Sequence, residues 1–197
     1  ADGVAVVMDA FRILKVMGLQ PKRTLRLALW SAEEEGLLGS QAWVRSHLQA
    51  AGPAPKPDTV SVYFNIDPGK GPIYGWYMEN NDAAKPIFDA WMAPFKDLGV
   101  LKNVRQGITN TDHLSFINAG VPGFNPIQDY VGYDVREHHT NADTAERVNE
   151  SDLKQNAVIL ASVIYHAATR AEPIPSAPSS PRRSGGWARR LILGLRT

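Results

Sequence analysis

The sequence has 197 residues, of which 44% are hydrophobic, so the chain can bury one sizeable core of the kind found in soluble α/β domains. A formal net charge of +1 predicts no strong binding to nucleic acid or membrane surfaces, and no stretch is long and apolar enough to cross a bilayer. Because cysteine is absent, disulfides and thiolate metal ligands are excluded, and any metal ion must be held by histidine and carboxylate side chains.

Helices and strands alternate along the first half of the chain. Apolar residues at helical spacing from Val4 to Leu14 predict a helix that ends near Gly18. This helix begins so close to the first residue that we expect the N-terminal strands of the domain to be missing. A second helix is predicted to begin near Ser40, a residue type that favours helix N-caps. Buried strands are predicted at three places: 25–30, 60–66 and 73–77.

The second half continues the alternation. Helices are predicted at 83–98, at 112–118 and at 151–170, with a strand near 122–127 between the last two. Pro86 and Pro94 could interrupt the first of these helices. Strands that alternate with helices indicate an α/β fold, a three-layer αβα sandwich with a mixed, largely parallel central sheet. We assign residues 1–171 to this domain.

The last segment, 172–197, differs in composition from the rest. Its first part is rich in proline, serine and glycine and is predicted to be a flexible linker. The final WARRLILGLRT contains both basic and apolar residues. One interpretation is a short amphipathic segment that touches a membrane or a partner. We favour the other interpretation, a disordered basic tail.

Carboxylates follow two of the predicted strands directly. Glu33 and Glu34 come just after the first strand, and Asp67 comes just after the second. In parallel sheets the carboxyl ends of the strands lie at one edge, and ligand-binding sites form there. A later loop, EHHTNADT, adds His138, His139 and Asp143. Carboxylate and imidazole are the ligands that zinc takes without thiolates, and adjacent glutamates point apart, so one could bind a metal while the other handles a proton.

Each of these features also has an ordinary interpretation. A run of three glutamates is typical of a solvated turn or helix start, and Asp67 before Pro-Gly is a common turn residue. The two loop histidines could be surface residues, and Asp112 with His113 could begin a helix. His47 and His166 lie within helical patterns and are interpreted as packed or surface side chains.

Four blocks in a fixed order are more specific than any single residue. They are PKRTLRLALWSAEEEGLLGS, FNID, NTDHLSFINAGVPG and HHTNADT. Together they resemble the co-catalytic zinc exopeptidases of peptidase family 28 (clan MH), in particular carboxypeptidase Q-like and bacterial aminopeptidase members, over residues 1 to about 171.

The resemblance implies a role for each matched residue. Glu33 corresponds to the general base and acid, and the metal ligands correspond to Glu34, Asp67 and His139. Supporting positions near the site correspond to Asp112, His113 and Asp143. Family members with a tyrosine before the Asp-His pair use its hydroxyl on the reacting carbonyl, and this chain has Ile108 there. The implied reaction is hydrolysis, next to a free terminus, of a peptide or dipeptide by a water activated between two zinc ions. A secreted or periplasmic location of the full-length parent is implied in the same way.

Two family ligands have no counterpart in this chain. These are the histidine of an upstream His-x-Asp block and the carboxylate that bridges the two metals, since Asp2 occupies a neighbouring position. We therefore expect this chain alone to bind zinc poorly and to be inactive. A non-catalytic binding domain on the same fold and a glutaminyl cyclase-like acyltransferase with one zinc are the alternatives, which a substrate assay separates.

Overall fold

The computed structural model describes residues 2–49, 60–67, 69–130, 132–177 and 190–196, the last range as backbone. Within these ranges the α-helices are α1 (Asp2–Val16), α2 (Leu38–His47), α3 (Lys85–Met92), α4 (His113–Asn118), α5 (Tyr133–Arg136) and α6 (Glu150–Thr169). The strands are β1 (Thr24–Trp30), β2 (Val60–Ile66), β3 (Ile73–Tyr77), β4 (Gly123–Gln128) and β5 (Arg190–Arg196). Short 3-10 helices lie at Ala93–Leu98 and Ala145–Arg147.

The strands form one mixed sheet in the order β1-β5-β2-β4-β3. All neighbouring pairs are parallel except β3 with β4, which are antiparallel. The predicted mixed, largely parallel sheet is therefore confirmed. Because β1 and β2 run in the same direction, the loops that follow them leave the sheet at the same edge.

Helices cover both faces of the sheet, which confirms the three-layer arrangement. On one face, α1, α3 and α6 pack on a core that includes Phe64 and Phe88. On the other, α2 and α4 cover a smaller core in which the rings of Tyr63 and Phe116 stack 4.0 Å apart. Phe64 and Tyr63 are successive residues of β2, so both faces of this strand are buried, as expected of a central parallel strand.

Two helix predictions need correction in detail. The second helix begins at Leu38, so Ser40 is not its N-cap. Instead the Ser40 hydroxyl is buried and lies 2.8 Å from the Ser115 hydroxyl, which links α2 to α4. The helix predicted at 83–98 ends at Met92 and continues as the 3-10 helix that contains Pro94, because proline cannot donate the next helical hydrogen bond.

The prediction of a disordered tail is wrong for the parts that the structure describes. Ile174 is only 4% exposed and belongs to the core, and Asn81 Nδ2 donates a 2.6 Å hydrogen bond to the carbonyl of Pro175, so the domain extends past 171. Residues 190–196 form β5, which pairs with β1 on one side and with β2 on the other. Residues 178–186 of the predicted linker and 187–189 of the predicted basic tail lie outside the described residues. A parallel strand between β1 and β2 forms main-chain hydrogen bonds with both neighbours. These hydrogen bonds favour a strand even though the composition of the segment predicts a disordered tail.

No helix in the described ranges combines the length and the apolar content needed to cross a bilayer.

The central position of β5 leads to a first prediction. Leu193→Pro removes a ladder N–H from a strand with neighbours on both sides, so we expect the free energy of unfolding to fall by about 1–3 kcal/mol. Urea denaturation measures this change. Equal midpoints for Leu193→Pro and the unsubstituted protein would contradict the strand assignment.

Candidate metal centre

The turn that follows β1 is held tightly. Ala32 and Leu37 have left-handed backbone conformations (φ of 56° and 61°), which are uncommon for residues other than glycine and concentrate at functional sites. A Cβ atom on Gly39 would lie 2.5 Å from the carbonyl oxygen of Ser31, so only glycine lets α2 start this close to the strand end. The turn therefore fixes the directions in which its glutamates point.

The two adjacent glutamates have different surroundings. Glu33 is 7% exposed, whereas the side chain of Glu34 is 48% exposed. Glu34 Oε1 lies 2.9 Å from Nε2 of His139, which follows α5 and itself has a left-handed backbone (φ 59°). This contact joins the turn after β1 to a loop more than a hundred residues further along the chain.

Asp67 follows β2 and lies among other carboxylates. Burial raises its pKa, and the charges of Glu33 and Asp112 raise it further, to about 7. Burial also raises the pKa of Asp112 to about 6, although a hydrogen bond from Ser40 and the nearby His113 act in the opposite direction. Carboxylates this close to one another favour a bound proton or a bound cation.

One cleft of about 780 Å³ collects the predicted site residues. The four side chains that carry the prediction all line it: Glu33, Glu34, Asp67 and His139. Ile108, His138 and Tyr130 also contribute to its wall. Of the predicted supporting residues, Asp112 and His113 are buried, with 1% and 0% exposure, and Asp143 is exposed. Tyr130 is not among the residues predicted from the sequence.

A buried polar network lies behind the cleft, and the sequence analysis missed it. Its members are Trp30, Tyr63, Asn65, Thr111, His113 and Glu79. Trp30 Nε1 donates to the Tyr63 hydroxyl at 3.0 Å, and that hydroxyl donates to Asn65 Oδ1 at 2.8 Å. Since Asn65 precedes Asp67 by two residues, the network fixes the end of β2 against the end of β1. Asn65, an asparagine within a fully buried strand, was the available signal.

The donors in the cleft fit zinc in type, and two of them also fit in position. Two zinc ligands at about 2.1 Å and a tetrahedral angle lie about 3.4 Å apart, so the Glu34–His139 pair needs only a small opening to accept an ion. Within the described residues, no three histidine or carboxylate side chains converge as a metal-binding group. The Glu34–His139 contact involves two side chains, whereas a catalytic zinc takes three protein ligands.

Comparison with known proteins identifies the class. Residues 1–164 match the family model described as Peptidase family M28, and the chain belongs to this family. The resemblance drawn from the four sequence blocks is thereby confirmed.

Individual relatives agree with this assignment. The chain is 31% identical over 173 residues to carboxypeptidase Q of Mus musculus, an alignment that covers 88% of this chain and 35% of the relative. It is 28% identical over 182 residues to leupeptin-inactivating enzyme 1 of Streptomyces exfoliatus, with 83% and 40% of the two chains covered. The chain therefore spans well under half the length of these relatives.

Solved structures agree on the fold. A peptidase M28 precursor from Shewanella amazonensis superposes with a TM-score of 0.74 at 29% identity, over 92% of this chain and 39% of the other. A zinc aminopeptidase from Bacillus subtilis, at 21% identity, has a TM-score of 0.51 over 77% of this chain and 38% of the other. At this identity the second match supports the fold alone.

The raised pKa of Asp67 predicts a pH dependence of stability in metal-free protein. The folded state keeps this proton up to about pH 7, whereas the unfolded chain releases it near the ordinary value of 3.8. The native state binds more protons in this window, so the Asp67 contribution to the free energy of unfolding must decrease as pH rises from about 4 to about 7. Asp67→Asn should remove this part of the decline.

Urea unfolding in the presence of EDTA at several pH values measures the difference between the two proteins. Asp97→Asn, which changes an exposed carboxylate in the 3-10 helix, is the control and should follow the unsubstituted protein. Parallel pH curves for Asp67→Asn and the unsubstituted protein would show that Asp67 does not hold its proton.

Proposed function

We propose that this chain is part of a zinc-dependent exopeptidase that hydrolyses peptide bonds next to a free terminus. The observation that carries the proposal is the shared cleft: Glu33, Glu34, Asp67 and His139 come from three separate loops and line the same cavity. The family membership and the peptidase names of the relatives support the reaction class. Because the chain spans 35% of carboxypeptidase Q, the activity is proposed for a longer protein that contains it.

The proposed roles follow from burial and contacts. Glu34 and His139, already 2.9 Å apart, would hold one zinc ion, and Asp67 would contribute to the site of a second. Bound zinc would supply polarisation of the peptide carbonyl and a lowered pKa for the attacking water. Glu33 is the proposed general base and acid: its buried carboxylate accepts the proton of that water and passes it to the departing amine.

The electrostatics of the cleft are consistent with cation binding. Burial raises the pKa of Asp67 to about 7, and the charges of Glu33 and Asp112 add to this effect. A divalent cation in the cleft would offset the repulsion among these carboxylates and favour the ionised form of Asp67. The cleft volume falls within the range of small-ligand sites, which suits a dipeptide or the end of a longer peptide. Ile108 lines the wall where some family members place a tyrosine, so this chain must hold the carbonyl without that hydroxyl.

For this chain alone we propose weak zinc binding and no turnover. The support is that two ligands are in contact and that no third converges within the described residues. Family membership also supports our proposal that the longer protein is exported.

The roles of the two glutamates differ in a way that kinetics can test. In the longer protein, Glu33→Gln should lower kcat by about 10²–10⁴-fold while zinc content stays the same, because only the proton acceptor is lost. Glu34→Ala should lose zinc, because it removes a ligand. Glu35→Gln, one residue further along the same turn, is the matched control and should change neither quantity. Peptide hydrolysis and zinc content by atomic emission give both readouts, and full activity of Glu33→Gln would refute the assignment.

Zinc binding by the chain alone tests the ligand assignment without turnover. His139→Ala should weaken zinc binding at least about tenfold in competition with a chromogenic chelator, since one of two ligands in contact is removed. His47→Ala, on the exposed surface of α2, should have no effect. If both variants bind zinc like the unsubstituted chain, His139 is not a ligand.

A further inference from the structure

The loops that carry Asp67 and His139 are joined by a buried ion pair. Lys70, three residues after Asp67, places its Nζ 2.6 Å from Oε1 and 2.5 Å from Oε2 of Glu137, two residues before His139. Their side chains are only 10% and 3% exposed. An ion pair this well shielded from water differs from the exposed pairs on the helices, which constrain geometry little.

The Lys70 side of the pair is anchored to the sheet. The amide of Gly71 donates a 2.8 Å hydrogen bond to the carbonyl of Asp129, just past β4. Gly69 has a φ of 93°, and a Cβ atom there would lie 2.9 Å from the Cβ of Gln128. The loop after β2 is therefore packed closely against the end of β4, and the backbone that carries the Lys70 side chain is held in place.

The main-chain hydrogen bonds on the Glu137 side lie within its own loop. Its amide and that of His138 donate to the carbonyl of Tyr133, at 3.0 and 2.9 Å, and Thr140 donates back to the carbonyl of Glu137. These bonds define the turn that places His139 in a left-handed conformation, but all of them are local. Longer-range side-chain contacts connect the turn to the rest of the fold, among them His139 with Glu34 at 2.9 Å and Glu137 with Lys70.

We propose that Lys70 and Glu137 form a positioning pair that fixes the His139 turn relative to Asp67, an inference that rests on the function proposed above. Both oxygens of Glu137 are engaged by Lys70, so Glu137 is not itself a ligand, although it adjoins two histidines. Removal of the Glu137 charge leaves the buried Lys70 ammonium without this partner, and removal of Lys70 leaves Glu137 with the more distant Arg147, 3.4 Å away. We expect the turn to move in either case. The pair thus acts on the site through His139.

The lack of cysteine makes this displacement measurable. Lys102→Cys and Asn141→Cys introduce two exposed labelling positions into a chain that has no other thiol. The backbone amide of Lys102 bonds to Tyr74 of β3, so the first label reports on the sheet, while the second reports on the His139 turn. Electron–electron double resonance between spin labels at these positions gives a distance distribution that requires no metal.

We expect Lys70→Met and Glu137→Gln each to broaden this distribution and to weaken zinc binding about tenfold. Reversal of the pair, Lys70→Glu with Glu137→Lys, should restore most of both properties. Arg147→Gln accompanies the reversal, since Arg147 Nη1 lies 3.4 Å from Glu137 Oε1 and would repel a cation at position 137. Lys85→Met is the control, because it breaks an exposed pair with Asp89 on α3 and should alter neither readout.

The outcomes separate this inference from the proposed function. Unchanged distance distributions in both single variants overturn the positioning role. The role is also overturned if the distributions broaden but zinc affinity stays the same, provided that Glu34→Ala and His139→Ala do weaken zinc binding. If those two ligand variants bind zinc normally, the proposed metal site fails and the label distances alone decide on the pair. Should a single variant not fold, recovery of a narrow distribution in the reversed pair supports the inference, and failure to recover it overturns the inference.

Discussion

The candidate site depends on the electrostatic repulsion among carboxylates that lie at one edge of a parallel sheet. Glu33 and Asp67 leave the sheet from β1 and β2, and Asp112 lies buried beside them. Separated carboxylates would each ionise in water, but here burial and mutual repulsion raise the pKa of Asp67 to about 7. A fold that keeps such a group at this edge has a lower free energy when a cation or a proton is present. This preference for a cation is what the zinc site proposed above would use.

Several features hold the crowded edge in place. The intervening β5 sets β1 and β2 about 9.6 Å apart, twice the spacing of neighbouring strands. The turn after β1 is fixed by the close approach of Gly39 to Ser31, and the network through Asn65 ties the two strand ends together from behind. The rigid parts of the site thus belong to the sheet. The His139 turn is attached to them through side chains, by the Lys70–Glu137 pair and by the contact with Glu34.

Local patterns in the sequence were sufficient to predict most of the architecture. The apolar runs that became β1, β2 and β4 are short and bounded by turn residues, and the position of Glu33 and Asp67 after two such runs follows from chain direction alone. Glu34 and His139 were both reached as ligand positions through the family blocks, and their contact is seen only in the structure, since spacing along the chain does not reveal it.

The features that escaped prediction depend on contacts between distant residues. The segment that forms β5 follows a proline-rich stretch and resembles a tail, because its pairing with β1 and β2 is invisible in local composition. Ser40 has the chemistry of an N-cap, yet its hydroxyl bonds to Ser115 on another helix. Lys70 and Glu137 each look like surface residues, and only the fold shows that they bury each other's charge.

A zinc-edge anomalous difference map from crystals of this chain grown with zinc tests the central claim most directly. The account predicts a peak in the cleft at about 2.0–2.2 Å from both Glu34 and His139. A map whose zinc peaks all lie away from these two side chains, in crystals with the cleft open to solvent, would contradict it.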